Sequence, residues 1–378
     1  MLNKKFSLLI QTNGRIILIL LIFNLFLFIK GSESQITLKF NGDQVSNTIS
    51  SFNILNAGFN TDPSNVIVNG VSKYTCKKSC QFSRGYSTVI IKFNIQLNSC
   101  LNMFNGISQI IEIDLRRFDA SKVITMENMF MDCSKLEKVT FGNIDTSSVQ
   151  NMNLLFLRCS ELSTIDISNL VTSSVTTMSD MFSHCQKLTS LDLRNFNTAK
   201  VDNMYDMFCE CYDLAYLDLS KFDTRKVKNM RGMFRFDSNL KYLDLSNFIT
   251  DSVTDMRYMF QFCSGLIYLN SYQFKVTREN TERWKIFGST ADYLKICVND
   301  PDSKEIFETD ELKSIDCTDI CFKNDIDFKI YLTGHYCVEK CNDCSDKYYF
   351  TDKKFCYDKC PSDNYPKENQ YICLRFKT

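Results

Sequence analysis

The sequence predicts an α/β solenoid, with one parallel strand and one short helix in each 26-residue repeat, a small β cap before the repeats and a disulfide-rich module after them. Three observations carry this. Phenylalanine recurs every 26 residues, at Phe104, Phe130, Phe156, Phe182, Phe208, Phe234 and Phe260, without an insertion. Copies of constant length are single small units that stack on one another, because none can bury its apolar face alone. Each copy pairs a segment of period two with one of helical period. Finally, nine of the 18 cysteines fall between Cys297 and Cys373, beyond the last in-phase copy.

Residues 1–31 read as a signal peptide. Lys4, Lys5 and Arg15 precede the apolar run Ile16 to Ile29, and the small polar residues Gly31, Ser32 and Ser34 follow it. The run is short for a membrane span of about 20 residues. An uncleaved signal anchor is the alternative and would be the chain's sole membrane partner. Residues 32–96 read as a β cap covering the first repeat. Ile36 to Phe40, Val66 to Val71 and Val89 to Ile95 are strand-like, and Cys76 and Cys80 are candidates for a bridge.

The repeats fill residues 97–276. In Leu191-Asp192-Leu193, apolar and polar residues alternate as in a strand with one buried face. Val201, Met204, Met207 and Phe208 then fall at i, i+3, i+6 and i+7, one stripe of a helix. Thr198, Thr224 and Thr250 precede that stripe as N-cap candidates. Cys133, Cys159, Cys185, Cys211 and Cys263 stand three residues after the phenylalanine and read as a column of buried free thiols. Ile107 and Asp237 interrupt that column, and the aspartate suggests that the column lies near the edge of the core.

The run Leu191 to Leu214, LDLRNFNTAKVDNMYDMFCECYDL, resembles the repeat of the BspA-like leucine-rich-repeat surface proteins. The resemblance covers about half of the chain. Two copies depart from it, one with Asp237 for the cysteine and one with Thr140 for the aspartate and Ile144 for the second phenylalanine. It implies a leucine-rich-repeat solenoid, secreted or displayed at a cell surface, acting in adhesion and carrying no catalytic residues.

Residues 277–296, with the single Trp284, read as a closing cap or linker. Residues 297–378 read as a separate cysteine-rich module, in which bridges replace a core that so short a segment cannot supply. Its candidates for disulfides are Cys297, Cys317, Cys321, Cys337, Cys341, Cys344, Cys356, Cys360 and Cys373. Zinc is the weaker reading, because only Cys341 and Cys344 have C-x-x-C spacing, with His335 nearby. Cysteine usage of this kind belongs outside the cytoplasm.

With 44 acidic and 44 basic residues, no global field recruits nucleic acid or a membrane surface. Two histidines and the absence of GxSxG, HExxH or a phosphate-binding glycine loop argue against an enzyme, and no cofactor is expected. The outward positions of the predicted strands form the candidate binding face. Tyr216, Tyr242, Tyr268 and Tyr272 cluster at its C-terminal end, flanked by the column Asp192, Asp218 and Asp244. Outward tyrosines are rigid and amphipathic and are enriched at interfaces. Calcium held by the aspartates is disfavoured, since one carboxylate per repeat supplies too few oxygen ligands. The basic run Arg225, Lys226, Lys228, Arg231 and Arg235 reads as a solvated face, with acidic polysaccharide as the sharper option. The expected partners are proteins or glycans at a cell surface or in a matrix. The rival expectation is a structural coat without a dedicated ligand.

Overall fold

The computed structural model describes residues 33–40, 49–83, 87–276, 286–290 and 294–303, with short strands at 314–315, 348–350, 356–357 and 373–375. The segment expected to be a signal peptide, Trp284 and most of the cysteine-rich tail, including Cys317, Cys321, Cys337, Cys341, Cys344 and Cys360, lie outside these residues. No helix among the described residues is long and apolar enough to cross a membrane.

The strands are, in chain order, β1 (Ser34–Phe40), β2 (Ile49–Asn53), β3 (Asn65–Val68), β4 (Val71–Ser72), β5 (Ser79–Ser83), β6 (Ser87–Phe93), β7 (Ile110–Arg117) and β8 (Lys138–Thr140). Then follow β9 (Thr164–Ile165), β10 (Ser190–Leu191), β11 (Tyr242–Asp244), β12 (Tyr268–Asn270), β13 (Lys295–Cys297) and β14 (Ser314–Ile315). The last are β15 (Tyr348–Phe350), β16 (Cys356–Tyr357) and β17 (Cys373–Arg375). The first sheet runs β4-β3-β6-β1-β7-β8. Within it, β1 pairs antiparallel with both β6 and β7, and β7 pairs parallel with β8. Thus β1 occupies the edge that the first repeat strand would otherwise leave open, and an open edge is a template for unwanted pairing.

Successive repeats lie side by side in parallel register. Strand pairing links Glu112 to Lys138, Thr164 to Ser190, and Tyr242 to Tyr268. A second ladder of parallel bridges runs Ser99, Thr125, Asn151, Thr177, Asn203, Asn229, Asp255. The strand pairing lapses at Leu217 to Leu219, and the second ladder carries the register past that point.

The expected helix is absent, and the described residues are mostly strand and turn; only 301–303 are helical among them. The stripe that reads as a helix is a chain of β-turns. Met103, Asn105 and Ile107 donate their N–H groups three residues back, to the carbonyls of Cys100, Asn102 and Phe104. The alternate residues Cys100, Asn102, Phe104 and Gly106 donate across to Thr125, Glu127, Met129 and Met131 of the next repeat, at 2.8–3.0 Å. A helix would send every N–H four residues back. Here half of them cross to a neighbour. Two residues per repeat also have positive φ, for example Asp180 (φ 54°) and His184 (φ 59°), as the third position of a type II turn requires. Left-handed geometry costs a non-glycine residue about 1–2 kcal/mol, and it stops a helix.

Inside the stack every repeat phenylalanine is fully buried. Consecutive rings from Phe104 to Phe260 stack with centroids 5.2–6.0 Å apart and planes within 13°. The stack continues to Phe287, 5.2 Å from Phe260, although the spacing there is one residue longer. Strands β13 and β14 extend the parallel sheet beyond β12. The repeat sheet therefore continues past residue 276, and Cys297 sits in it rather than opening a separate module.

Thr198, Thr224 and Thr250 cap no helix. Each is buried and clips its repeat to the next. The Thr224 hydroxyl donates to the Ile249 carbonyl (2.9 Å) and accepts from the Ile249 N–H (2.8 Å). Thr146, Thr172, Thr198 and Thr250 do the same to Val171, Asn197, Asp223 and Lys275. Thr224→Val keeps the shape but strands a buried N–H and a buried C=O. It is expected to cost about 2–3 kcal/mol, read as a lowered urea midpoint. Thr224→Ser, which keeps the hydroxyl, should lose far less, and equal losses would show that the clip contributes nothing.

Candidate functional site

The outward face of the repeat strands carries the strongest candidate. An open groove of about 1270 Å³ runs over it from the second repeat to the sixth. Its floor is of small side chains, three of them hydroxylic (Thr140, Thr164 and Ser190) and one a methyl (Ala215), with Lys138 and Lys241 at its margins and Tyr216 near its C-terminal end. The floor stays low because the side chains Thr164, Ser190 and Ala215 are short. Gly142 adds to this. It has φ +60°, and a Cβ there would come within 2.6 Å of the Arg116 Cγ that packs over it.

The tyrosines assemble beyond that groove. Tyr242 and Tyr268 pair across β11 and β12 and stack at 5.8 Å, with 19° between planes. Both are half-buried, as is Tyr216, whereas Tyr272 is 37% exposed. Burial, then the charges of Asp218 and Asp244, pushes the Tyr216 phenol up to about 12, so it stays a hydrogen-bond donor at neutral pH. Of the four tyrosines only Tyr216 lines the groove.

The aspartate column has a local task. Asp192 accepts from the Arg194 N–H two residues on (3.1 Å) and is forked by the Arg194 guanidinium at 2.9 and 2.7 Å. Asp218 and Asp244 accept from the N–H groups of Ser220 (3.0 Å) and Ser246 (2.9 Å). These are Asx turns that end each strand. The Arg194 hydrogen bond holds the Asp192 carboxyl below its usual range. No group of three or more His, Cys, Asp or Glu placed to hold a metal occurs among the described residues.

The cysteines divide. Cys76 and Cys80 are bridged, with Cα atoms 5.0 Å apart, and Cys297 is disulfide-bonded. Cys356 and Cys373 lie in β16 and β17. The repeat column is of buried free thiols. Each donates to the carbonyl of the preceding repeat's phenylalanine, as Cys133 does to Phe104 (3.2 Å) and Cys185 to Phe156 (3.2 Å). Burial lifts their pKa far from the reactive range, Cys133 and Cys185 to about 12. They are inert. Asp237, in the same column, is not at an edge: it is fully buried.

A second assembly was legible in the sequence only as part of a basic run, without its aromatic partners. On the turn side, Arg231 lies over the rings of Tyr205 (5.8 Å) and Tyr258 (5.3 Å), and Arg235 over Phe236 (4.8 Å) and Tyr258 (5.4 Å). Phe236 stacks on Phe262 at 4.5 Å. Had the segment been read as turns with two left-handed residues per repeat, the residues flanking each core phenylalanine would have aligned as this surface.

Comparison with known proteins gives one family. The family described as "Mycoplasma protein of unknown function, DUF285" matches residues 98–215 and 185–293, together just over half of the chain. The chain belongs to that family. No curated protein matches it. A solved structure, "The Crystal structure of Pneumococcal vaccine antigen PcpA", is similar at 14% identity over 55% of this chain and 71% of that one, with a TM-score of 0.23. A likeness that loose bears on neither fold nor function. The matched span contains all seven of the phenylalanines spaced 26 residues apart, Phe104 to Phe260.

Proposed function

We propose that the chain is a secreted or surface-displayed repeat protein that mediates adhesion, or recognition of proteins or glycans, through its exposed strand face. In this reading the side-by-side repeats form a leucine-rich-repeat solenoid of the BspA-like kind, built with turns in place of helices. The observation that supports it is the groove of about 1270 Å³ with a largely hydroxylic floor, charged margins and a tyrosine near its C-terminal end. Such a surface offers many donors and acceptors and rigid rings, which suits recognition. The signal segment and the disulfides argue for the extracellular side.

The test is binding of the purified chain to cells, to matrix proteins and to immobilised glycans. Tyr216→Ala combined with Ser190→Arg, which fills the floor, is expected to weaken attachment at least about tenfold, the effect of losing one well-packed interface anchor. The unfolding midpoint should move little, because both side chains face out of the core. Attachment unchanged in the double variant would place the binding surface elsewhere.

A further inference from the structure

We propose that the turn side is a self-complementary surface through which two copies of the chain associate about a twofold axis. Four consecutive repeats present residues there in the positions flanking the core phenylalanines Phe182, Phe208, Phe234 and Phe260. The two earlier repeats carry Asp180, Asp206 and Glu210; the two later ones carry Arg231, Arg235 and the stacked pair Phe236 and Phe262. One half is acidic, and the next is cationic and aromatic.

The basic run seen in the sequence is not one patch. Arg225 is held by Asp223 at 2.6 Å, and Lys228 lies 3.9 Å from Asp202. Arg231 and Arg235 differ. Two aromatic rings, from two different repeats, hold each guanidinium group in place, and neither has a carboxylate within ion-pairing distance among the described residues. The Arg235 guanidinium donates to the Gln261 Oε1 (2.8 Å). Such groups have already lost their rotamer freedom, so engaging an anion costs them little more entropy. Beside them Phe262 is 36% exposed.

The acidic half is built as firmly. Gly232 lacks the Cβ that would collide with the Asp206 carboxylate lying over it. Glu210 is fixed by His184 (2.8 Å) and by the Tyr212 hydroxyl (2.8 Å). Asp180 is lifted to about 6, by burial and then by Asp206, and so is ionised at neutral pH.

A twofold axis between the Phe208 and Phe234 repeats sets each acidic half against the cationic half of the other copy, twice over, as an isologous interface requires. A polyanion would meet Asp180 and Glu210, and a polycation would meet Arg231 and Arg235. A second copy running the opposite way satisfies both halves. The overall charge balance of 44 against 44 leaves no long-range repulsion between copies. Four repeats at about 4.8 Å spacing make a patch of only about 20 Å, so the dimer belongs to the weak, small-interface class.

The test is sedimentation of the full chain at low ionic strength across the micromolar range. A monomer–dimer equilibrium is expected, loosening as salt screens the pairs. Arg231→Glu with Arg235→Glu should weaken it at least about tenfold. Asp206→Asn with Glu210→Arg should do the same; position 210 tolerates arginine, because the equivalent residue two repeats earlier is Arg158, also at positive φ. The decisive arm mixes the two variants. An all-acidic face meets one that keeps Asp180 as its sole acid among the residues named, and a heterodimer is expected that neither forms alone, which also shows that both are folded. A wild-type chain that stays monomeric throughout, a dimer indifferent to both variants, or a mixture that stays monomeric overturns the proposal.

Discussion

Phe182→Ala is expected to destabilise the chain by about 3–5 kcal/mol, the usual cost of emptying a fully packed phenylalanine site. Phe182 is fully buried and stacks on Phe156 at 5.7 Å and on Phe208 at 6.0 Å. Its ring is the contact between three repeats, so its loss is felt by two interfaces at once. In a stack where each repeat touches only its neighbours, such a break near the middle also divides cooperative unfolding into parts. Urea unfolding should therefore show a lowered midpoint and a shallower transition. Phe182→Leu, which keeps most of the volume, should cost roughly half as much. A transition as steep as the wild type's, shifted by under about 1 kcal/mol, would mean that the aromatic stack does not hold the repeats together.

The second large effect is a gain. Asp237→Cys is expected to stabilise the chain by about 1–3 kcal/mol at neutral pH. Asp237 stands where other repeats place a thiol. It is fully buried, accepts from the Cys211 N–H at 2.9 Å, and leaves its Oδ2 without a partner among the described residues. Burial raises its pKa well above 3.8, with the nearby Glu210 charge adding to the rise and the Cys211 hydrogen bond opposing it. An acid whose folded pKa is raised binds its proton more tightly when folded. The stability it contributes is thus full below the unfolded value near 3.8 and is lost as pH climbs toward the folded value. A thiol would instead donate to the Phe208 carbonyl, as Cys211 does to Phe182 (3.1 Å) and Cys263 to Phe234 (2.8 Å). The difference in stability between variant and wild type should widen from pH 4 upward. Asp180 and Asp206, which burial also raises, are common to both proteins and cancel in that difference. Equal stability at every pH would show that the carboxyl is relieved by some other contact.

The inward residues were legible in the sequence almost one by one. Val201, Met204, Met207, Phe208, Cys211 and Leu214 are all fully buried, as their spacing implied. The β stretches before the repeats were legible as well. The helix was not, because i, i+3, i+6 and i+7 spacing is satisfied equally by a helix and by successive turns whose first and fourth residues face inward. Periodicity reports which side chains avoid water. It does not report where an N–H group goes. The threonines were misread for the same reason: Thr198 looks like a cap beside a local apolar stripe, whereas its partner is Asp223, 25 residues on. The aspartates were placed on the correct face, yet Asp192 turns back to its own chain through Arg194.

By itself, the sequence determined the length of the repeat and the composition of its interior, because the cost of exposing a phenylalanine or a methionine depends mainly on the side chain and its spacing. Tertiary structure alone decided how each unit closes, what satisfies its backbone, and which charges share a surface. Those outcomes depend on hydrogen bonds and Coulomb interactions between residues some 25 positions apart, and these become neighbours only once the units are stacked.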